Sequence, residues 1–136
     1  METKIVDLTE EQIEELETAL DNYDKTYIQY KLNGTISIGI MDNGVLVAGL
    51  DACITAFKIL YVSTVYVDEK YRLKGYGKML IEEMERRAKL FGVNTIRLDT
   101  FNWQGKEFYE AMGYEQVGSY KNDIDHFEEF FFLKRI

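Results

Sequence analysis

The sequence predicts a mixed α/β fold in which antiparallel strands precede a strand–helix–strand unit. Three observations predict it. An Asp-Asn-Gly turn signal at 42–44 separates two strand-like segments, which indicates a hairpin. Segment 59–67 is rich in β-branched and aromatic residues, as buried strands are. Segment 77–92 places apolar residues at helical spacing and ends in glycine, a common helix terminus.

The N-terminal part predicts one short strand and one acidic helix. Lys4 to Leu8 alternates polar and apolar residues enough for a first strand. The stretch from Thr9 to Gln12 has the pattern of a capping box, and apolar residues follow it at helical spacing on a strongly acidic segment. The tyrosine-rich stretch up to Tyr30 leaves a second short helix open.

The other elements follow in order along the chain. A short helix over 104–112, ended by Gly113, lies between a strand and a closing hairpin. With the first strand these segments give a central sheet of about six to seven strands, flanked by helices. The strands are predicted at 35–41, 45–55, 59–67, 94–101, 114–120 and 127–134.

Composition limits the classes of function. At 136 residues, with 46% hydrophobic and 29% charged residues, the chain is expected to form one globular domain over 1–136. No apolar run is long enough to span a bilayer, and the start lacks the apolar core of a signal peptide, so a cytoplasmic location and no membrane partner are expected. A net charge of −8 argues against nucleic acid and favours a cationic substrate. One His and one Cys supply no ordinary metal site.

The residues that carry chemistry follow the strand at 59–67. A glycine-bearing loop with four cations leads into the helix, so several backbone N–H groups should point at one place and bind an anion. Neither of the two common phosphate-loop patterns is present. A tight turn without a ligand is the competing interpretation. The cations are Lys70, Arg72, Lys74 and Lys78.

Two patterns resemble one family. Arg72-x-x-Gly75-x-Gly77 is similar to the Arg/Gln-x-x-Gly-x-Gly/Ala acyl-CoA signature of the GCN5-related N-acetyltransferases (GNAT). The block from Asn102 to Tyr114 resembles that family's Asn-x-x-Ala-x-x-Phe/Leu-Tyr-x-x-x-Gly-Phe pattern. Gly105 stands where alanine is usual. The resemblance covers nearly the whole chain and implies a mainly antiparallel twisted sheet around a β-α-β acyl-CoA-binding core.

The resemblance implies an acetyl-CoA-dependent N-acetyltransferase with these binding roles. Backbone amides of the loop would bind the pyrophosphate of coenzyme A, and Arg72 would hold the loop or a phosphate. The strand around Val65 and Val67 would pair with the pantetheine arm, in a region where that strand and the next one separate. Asn102 would hydrogen-bond the cofactor. The loop residues are Leu73, Lys74, Gly75, Tyr76, Gly77 and Lys78.

Two residues are the candidates for proton transfer. The resemblance implies that Tyr109 lies near the sulfur, and a phenol with a pKa of ~10 stays protonated and can donate to a leaving thiolate. A core tyrosine is the alternative. Relatives often place a glutamate on the third strand as base, but 61–64 has none; Asp99 or a water chain could replace it. Asp99 could equally be structural, and His126 is expected to be an exposed loop residue or, less expectedly, part of the substrate site.

Three functions remain open at this stage. The first is acetyl transfer to a primary amine of a small molecule, or of a peptide. The second is a non-catalytic regulatory module that binds acyl-CoA. The third is an interaction protein built on the acidic helix. Aromatic residues in the last strand predict core packing, and any exposed remainder indicates either a homodimer contact or an aromatic-lined substrate pocket.

Overall fold

The structure is a computed structural model that describes residues 2–28, 30 and 32–136. It contains three α-helices, six strands and one short 3₁₀ helix over Glu69–Tyr71 within those residues. The helices are α1 (Glu10–Asp24), α2 (Tyr76–Phe91) and α3 (Lys106–Ala111). The strands are β1 (Thr35–Asp42), β2 (Val45–Ile54), β3 (Ile59–Val67), β4 (Thr95–Phe101), β5 (Glu115–Asn122) and β6 (Phe127–Arg135).

The chain divides into two compact units, and residues 1–31 form the first. Within it, the predicted capping box begins α1: Oγ1 of Thr9 accepts from the N–H of Gln12 at 3.2 Å, and Oε1 of Gln12 accepts from the N–H of Thr9 at 3.0 Å. The first strand predicted at 4–8 is wrong, because these residues pair with no strand and an isolated strand cannot satisfy its N–H and C=O groups. The described residues between α1 and Tyr30 form a turn at 25–27 rather than a second helix.

The second unit, 32–136, is built on one six-stranded sheet of order β1-β2-β3-β4-β6-β5. Every neighbouring pair is antiparallel except β3 and β4, which are parallel and connected through α2. A parallel pair needs such a crossover, because a short hairpin can join only antiparallel strands. The predicted fold class is confirmed: a mixed, mainly antiparallel sheet with flanking helices and a β-α-β unit.

The core lies between α2 and one face of the sheet. The apolar stripe of α2 is buried at Leu80, Ile81, Met84 and Ala88, and Gly92 ends the helix with a φ of +94°. This left-handed conformation is one that glycine adopts without strain. We call the sheet face away from α2 the far face. Side chains alternate between the two faces along each strand, so the far face carries residues such as Asp99 and Phe131, both exposed.

The helix α3 is shorter than the predicted 104–112. Oε1 of Gln104 accepts from the N–H of Phe101 at 2.8 Å, so Gln104 closes the turn between β4 and α3 instead of starting the helix. None of the helices in the described ranges is long and apolar enough to cross a bilayer.

Candidate functional site

The strands β3 and β4 separate after a short parallel contact. They pair only from Ile59–Thr95 to Tyr61–Arg97, after which β3 continues to Val67 and β4 to Phe101 without pairing. On its other side, β3 has a register irregularity against β2, where the pairing passes over Ser63. A bulge of this kind bends a strand, so it favours the separation. The result is a gap, bordered on one side by the unpaired edge of β3 from 62 to 67.

The loop after β3 is anchored at both ends. Nε of Arg72 donates to the carbonyl oxygen of Val67 at 2.9 Å, and the guanidinium carbon lies 5.7 Å from the centroid of the Tyr66 ring. The hydroxyl of Tyr71 donates to Oδ2 of Asp42 at 2.6 Å, which ties the 3₁₀ helix to the β1–β2 hairpin. The contacts of Arg72 fit the first of its two predicted roles, which is to hold the loop.

The loop presents a row of unused hydrogen-bond donors. Leu73 and Gly75 adopt positive φ values of 63° and 84°, which turn the backbone sharply before α2. The first N–H to reach a helical acceptor is that of Met79, which donates to Gly75 at 3.0 Å. Within the described part of the chain, none of the six N–H groups of 73–78 has an acceptor. With the positive end of the α2 dipole, they form a site suited to a phosphate group.

Glycine is required at Gly75 and at Gly77 for different structural reasons. At Gly75 a β-carbon would meet nothing within 4 Å, so the requirement is the positive φ. At Gly77 a β-carbon would stand 3.2 Å from Cζ of Phe108, so the requirement is the close approach of α3. Gly77 therefore makes room for a neighbouring side chain as well as for a ligand at the helix terminus.

Tyr109 is buried in the core cluster that includes the apolar stripe of α2. Only 8% of the residue is exposed, and its ring contacts those of Tyr114 and Phe132. Burial, and after it the negative charge of Asp99, raises the pKa of Tyr109 to about 12. Its hydroxyl makes no hydrogen bond to any described residue. Such a phenol stays protonated at neutral pH and can donate.

Gly105 is explained by this tyrosine. A β-carbon at Gly105 would stand 3.2 Å from Cε2 of Tyr109, which is tighter than an ordinary contact. The N–H of Tyr109 also donates to the carbonyl oxygen of Gly105 at 3.0 Å. The glycine found where alanine is usual therefore allows the Tyr109 ring to lie directly over the start of α3.

Asp99 lies on the far face, two residues beyond the last β3–β4 pair. Its Oδ2 accepts a hydrogen bond of 3.1 Å from the hydroxyl of Tyr61. The guanidinium of Arg97 lies over the Tyr61 ring, 4.3 Å from the ring centroid. Burial, and then the hydrogen bond to Asp99, raises the pKa of Tyr61. Asp99 is therefore an exposed carboxylate whose charge reaches Tyr109.

Asn102 has a structural contact that its sequence pattern did not indicate. Its N–H donates to the carbonyl oxygen of Glu128 at 2.9 Å, and its Oδ1 accepts from the N–H of Glu128 at 2.9 Å. These two bonds connect the end of β4 to the start of β6. Only the amide nitrogen of the side chain is left to donate to a ligand.

His126 is an exposed residue of the β5–β6 turn, with a φ of +58°. Together with Asn102, Asn122 and Phe127 it lines a cavity of about 220 Å³. The cavity is open to solvent, and its lining also includes the carboxylates of Asp123 and Glu128.

The chain matches the acetyltransferase (GNAT) family over residues 4–114. It belongs to this family. The match includes the loop before α2 and the block that carries Tyr109, so it confirms the resemblance that these two patterns indicated. Acetyltransferases of the GNAT family use acetyl-CoA and act on amines of small molecules or peptides.

Solved structures agree with the GNAT fold. A crystal structure of an acetyltransferase from Bacillus cereus ATCC 14579 has a TM-score of 0.89 and 27% identity, with 98% of each chain covered. A candidate streptothricin acetyltransferase from Bacillus anthracis str. Ames, solved in complex with acetyl coenzyme A, has a TM-score of 0.67 and 21% identity. That similarity covers 82% of this chain and 67% of the other, and at this identity it shows the fold alone.

A curated GNAT relative matches over a shorter stretch. The L-ornithine N5-acetyltransferase NATA1 of Arabidopsis thaliana is 33% identical over 55 residues. This match covers 39% of the chain and 24% of the relative, so the chain spans about a quarter of that enzyme.

The structure brings most of the predicted GNAT site residues to one region. Val65 and Val67 lie on β3 beyond its last pair with β4, the loop 72–78 follows directly, and Tyr109 lies in the helix that contacts Gly77 through Phe108. Their binding and catalytic roles, the cytoplasmic location, the homodimer and the single-domain organisation all stay predictions.

One group near the site was missed from the sequence. Oε1 of Glu129 accepts a hydrogen bond of 2.6 Å from the hydroxyl of Tyr120, on the same face as Asp99. The alternation of β6 could have indicated an outward carboxylate at Glu129, but the pairing with β4 that brings it beside Asp99 is not readable from local sequence.

Proposed function

We propose that this chain is an acetyl-CoA-dependent N-acetyltransferase that transfers the acetyl group directly to a primary amine of a small molecule, or of a peptide. The observation that carries the proposal is the row of six N–H groups at 73–78 without acceptors in the described residues. They lie next to the unpaired edge of β3, where an extended arm could add as a strand.

The loop binds through its backbone first and through side chains second. Six N–H groups and the α2 dipole attract the pyrophosphate, while the exposed lysines Lys74 and Lys78 add positive charge. Nζ of Lys78 lies 3.8 Å from Oε1 of Glu82, and the side chains of Lys78 and Glu82 are both mostly exposed. The backbone of Val65 and Val67 is the expected partner for the pantetheine amides, and the amide nitrogen of Asn102 is a further donor.

Tyr109 is the proposed general acid. Acetyl-CoA supplies an activated acetyl group as a thioester. Breaking the C–S bond leaves a thiolate, to which the hydroxyl of Tyr109 donates its proton. A phenol of pKa about 12 stays protonated at neutral pH and is therefore available as a donor to the forming thiolate, and its burial shields the group from bulk water.

Asp99 is the proposed base. The acceptor reaches the enzyme as an ammonium, and its nitrogen can attack the carbonyl carbon only after a proton is lost. The exposed carboxylate of Asp99, held by Tyr61, can accept that proton directly or through a water. The N–C bond forms as the C–S bond breaks. The nitrogen loses two protons in all: Asp99 accepts the first, and the second restores to Tyr109 the proton that it gives to the thiolate.

Two observations support a small-molecule amine as the acceptor. The net charge of −8 favours a cationic substrate. The Arabidopsis relative is named for an amino-acid amine, L-ornithine, although the match spans only 24% of it.

Thiol release tests the proposal. Purified protein is incubated with acetyl-CoA and a panel of primary amines, and free coenzyme A is measured with a thiol reagent. Tyr109→Phe is expected to lower kcat by ~100-fold or more while the Kd of acetyl-CoA stays within about twofold. Tyr27→Phe, an exposed tyrosine in the first unit, serves as the matched control and should retain full activity.

A second function is favoured by one observation: the segment 61–64 on β3 carries no carboxylate. This absence fits a module that binds acyl-CoA as a regulatory ligand. Acetyl-CoA binding without thiol release for any amine, in wild-type protein, would select that function over the enzyme.

A further inference from the structure

Tyr114, which follows α3, carries a buried hydroxyl without a partner. Only 3% of the residue is exposed, and its hydroxyl makes no hydrogen bond to any of the described residues. The more exposed hydroxyls of Tyr61, Tyr71 and Tyr120 each donate to a carboxylate. A buried hydroxyl without a partner destabilises a protein, and a phenylalanine would fill the same space without that cost. Packing alone therefore does not account for the hydroxyl of Tyr114.

The carboxylate whose charge acts on Tyr114 is already bonded to another residue. Both carboxylate oxygens of Glu85 accept hydrogen bonds from Nζ of Lys134. The same Nζ lies over the Tyr114 ring, 5.4 Å from its centroid. Lys134 thus occupies Glu85 and covers one face of the tyrosine, so the hydroxyl of Tyr114 remains a donor without an acceptor among the described residues.

Tyr114 is held next to Tyr109. Its N–H donates to the carbonyl oxygen of Tyr109 at 2.9 Å, and the two ring centroids lie 5.8 Å apart with 67° between the ring planes. Burial, and after it the charges of Glu85 and of an ionised Tyr109, raises the pKa of Tyr114. Tyr114 therefore keeps its proton, and a negative charge on Tyr109 acts on its hydroxyl.

We propose that Tyr114 is a positioning residue whose hydroxyl stabilises the phenolate of Tyr109 that forms during acetyl transfer. When Tyr109 gives its proton to the thiolate, its oxygen becomes a negatively charged acceptor. The hydroxyl of Tyr114 donates a hydrogen bond to that oxygen, directly or through one water, and keeps its own proton, so the proton balance of the reaction is unchanged. Hydrogen bonds to ionised acceptors are stronger than neutral ones, so this bond favours the transition state over the resting state.

The inference rests on the proposed function, because it adds a residue to the action of Tyr109. Tyr114→Phe tests it, since this change removes the oxygen and keeps the ring. Thiol-release kinetics with the best primary amine of the panel should show kcat lowered by ~10-fold, while the Kd of acetyl-CoA stays within about twofold. The midpoint of denaturant unfolding should equal or exceed that of wild type. Tyr27→Phe removes an exposed hydroxyl in the first unit and should change none of these quantities.

The same change in a Tyr109→Phe background separates a role through Tyr109 from a purely structural one. If Tyr114 acts on the phenolate of Tyr109, Tyr114→Phe should change kcat by less than about twofold in that background. A structural contribution would lower kcat by the same factor in both backgrounds.

Failure of the inference and failure of the proposed function give different results. The inference is overturned, and the enzyme remains, if wild-type protein is active and Tyr114→Phe leaves kcat unchanged or lowers it equally with and without the Tyr109 hydroxyl. If wild-type protein binds acetyl-CoA but releases no thiol with any amine of the panel, the proposed function fails. The inference then fails with it, because no phenolate forms.

Discussion

Gly77, in the first turn of α2, lies directly against the ring of Phe108 in α3, where a β-carbon on Gly77 would be 3.2 Å from Cζ of the ring. This contact joins the loop 73–78, whose N–H groups have no acceptor among the described residues, to the short helix that carries Tyr109. The proposed phosphate site and the proposed acid therefore depend on one close approach of two helices.

Gly77→Ala tests that approach. The added methyl group must displace Phe108, which should lower the free energy of unfolding by about 1–2 kcal/mol and weaken acetyl-CoA binding. Denaturant unfolding and calorimetric titration measure the two effects. Phe108→Leu in the same chain removes the clash and should restore part of both losses. If Gly77→Ala changes neither the free energy of unfolding nor acetyl-CoA binding, or if Phe108→Leu restores neither, the contact does not have this role.

Asp99→Asn tests the proposed base. The amide cannot accept the proton of the ammonium, so kcat should fall by ~100-fold while the Kd of acetyl-CoA stays unchanged. Thiol-release kinetics at fixed amine concentration measure it. Asp51→Asn is the matched control, since Asp51 also accepts a hydroxyl hydrogen bond, from Ser37 at 2.6 Å, but lies on β2. An equal loss in both variants would assign Asp99 a structural role.

The raised pKa of Tyr109 predicts that the folded protein loses stability at alkaline pH. Its pKa is about 12 in the folded protein and ~10 in the unfolded chain, so its contribution is fully present below pH ~10 and is lost as the pH rises towards 12. A shift of this size corresponds to about 3 kcal/mol. Chemical unfolding at pH 9 and 11 should show a smaller decrease for Tyr109→Phe than for wild type. Burial also raises the pKa of Tyr114, so part of the decrease should persist in that variant.

The contacts of Lys134 should stabilise the end of α3. Its Nζ lies 2.5 Å from Oε1 of Glu85 in α2 and donates to the carbonyl oxygen of Met112 at 2.8 Å. Lys134→Met leaves Glu85 half-buried and unpaired, which should lower the free energy of unfolding by about 2–3 kcal/mol. Lys134→Met with Glu85→Leu should recover part of this loss, as measured by denaturant unfolding. If the effects of Lys134→Met and Glu85→Leu on the free energy of unfolding are strictly additive, the ion pair contributes nothing to stability.

Local sequence was sufficient to predict most of the helices and strands and to locate both motif regions. The hairpin at 42–44, the strand 59–67 and the Gly92 helix terminus are determined by nearby residues, so pattern alone located them. The failed strand at 4–8 had suitable alternation but no neighbouring strand, and a strand needs a partner for its backbone. Alternation of polar and apolar residues shows that a segment can form a strand, and pairing with a neighbouring strand decides whether it forms one.

The missed parts of the site depend on contacts between distant residues. Tyr61 and Asp99 are 38 positions apart, and Glu85 and Lys134 are 49 apart. Glu129 comes beside Asp99 only through the β4–β6 register. A one-residue change in register would place Glu129 on the opposite face, so no local pattern specifies the pair.

The most direct test of the central claim is the NMR response of backbone amides to acetyl-CoA in ¹⁵N-labelled protein. If the N–H groups of 73–78 hold the pyrophosphate, their resonances should show the largest shifts, and their slow-exchange protection should rise from none to a measurable value. Amides of β5, remote from the loop in the strand order, serve as the internal reference. Binding of acetyl-CoA with unchanged amides at 73–78, or no binding by well-folded protein, would contradict the claim.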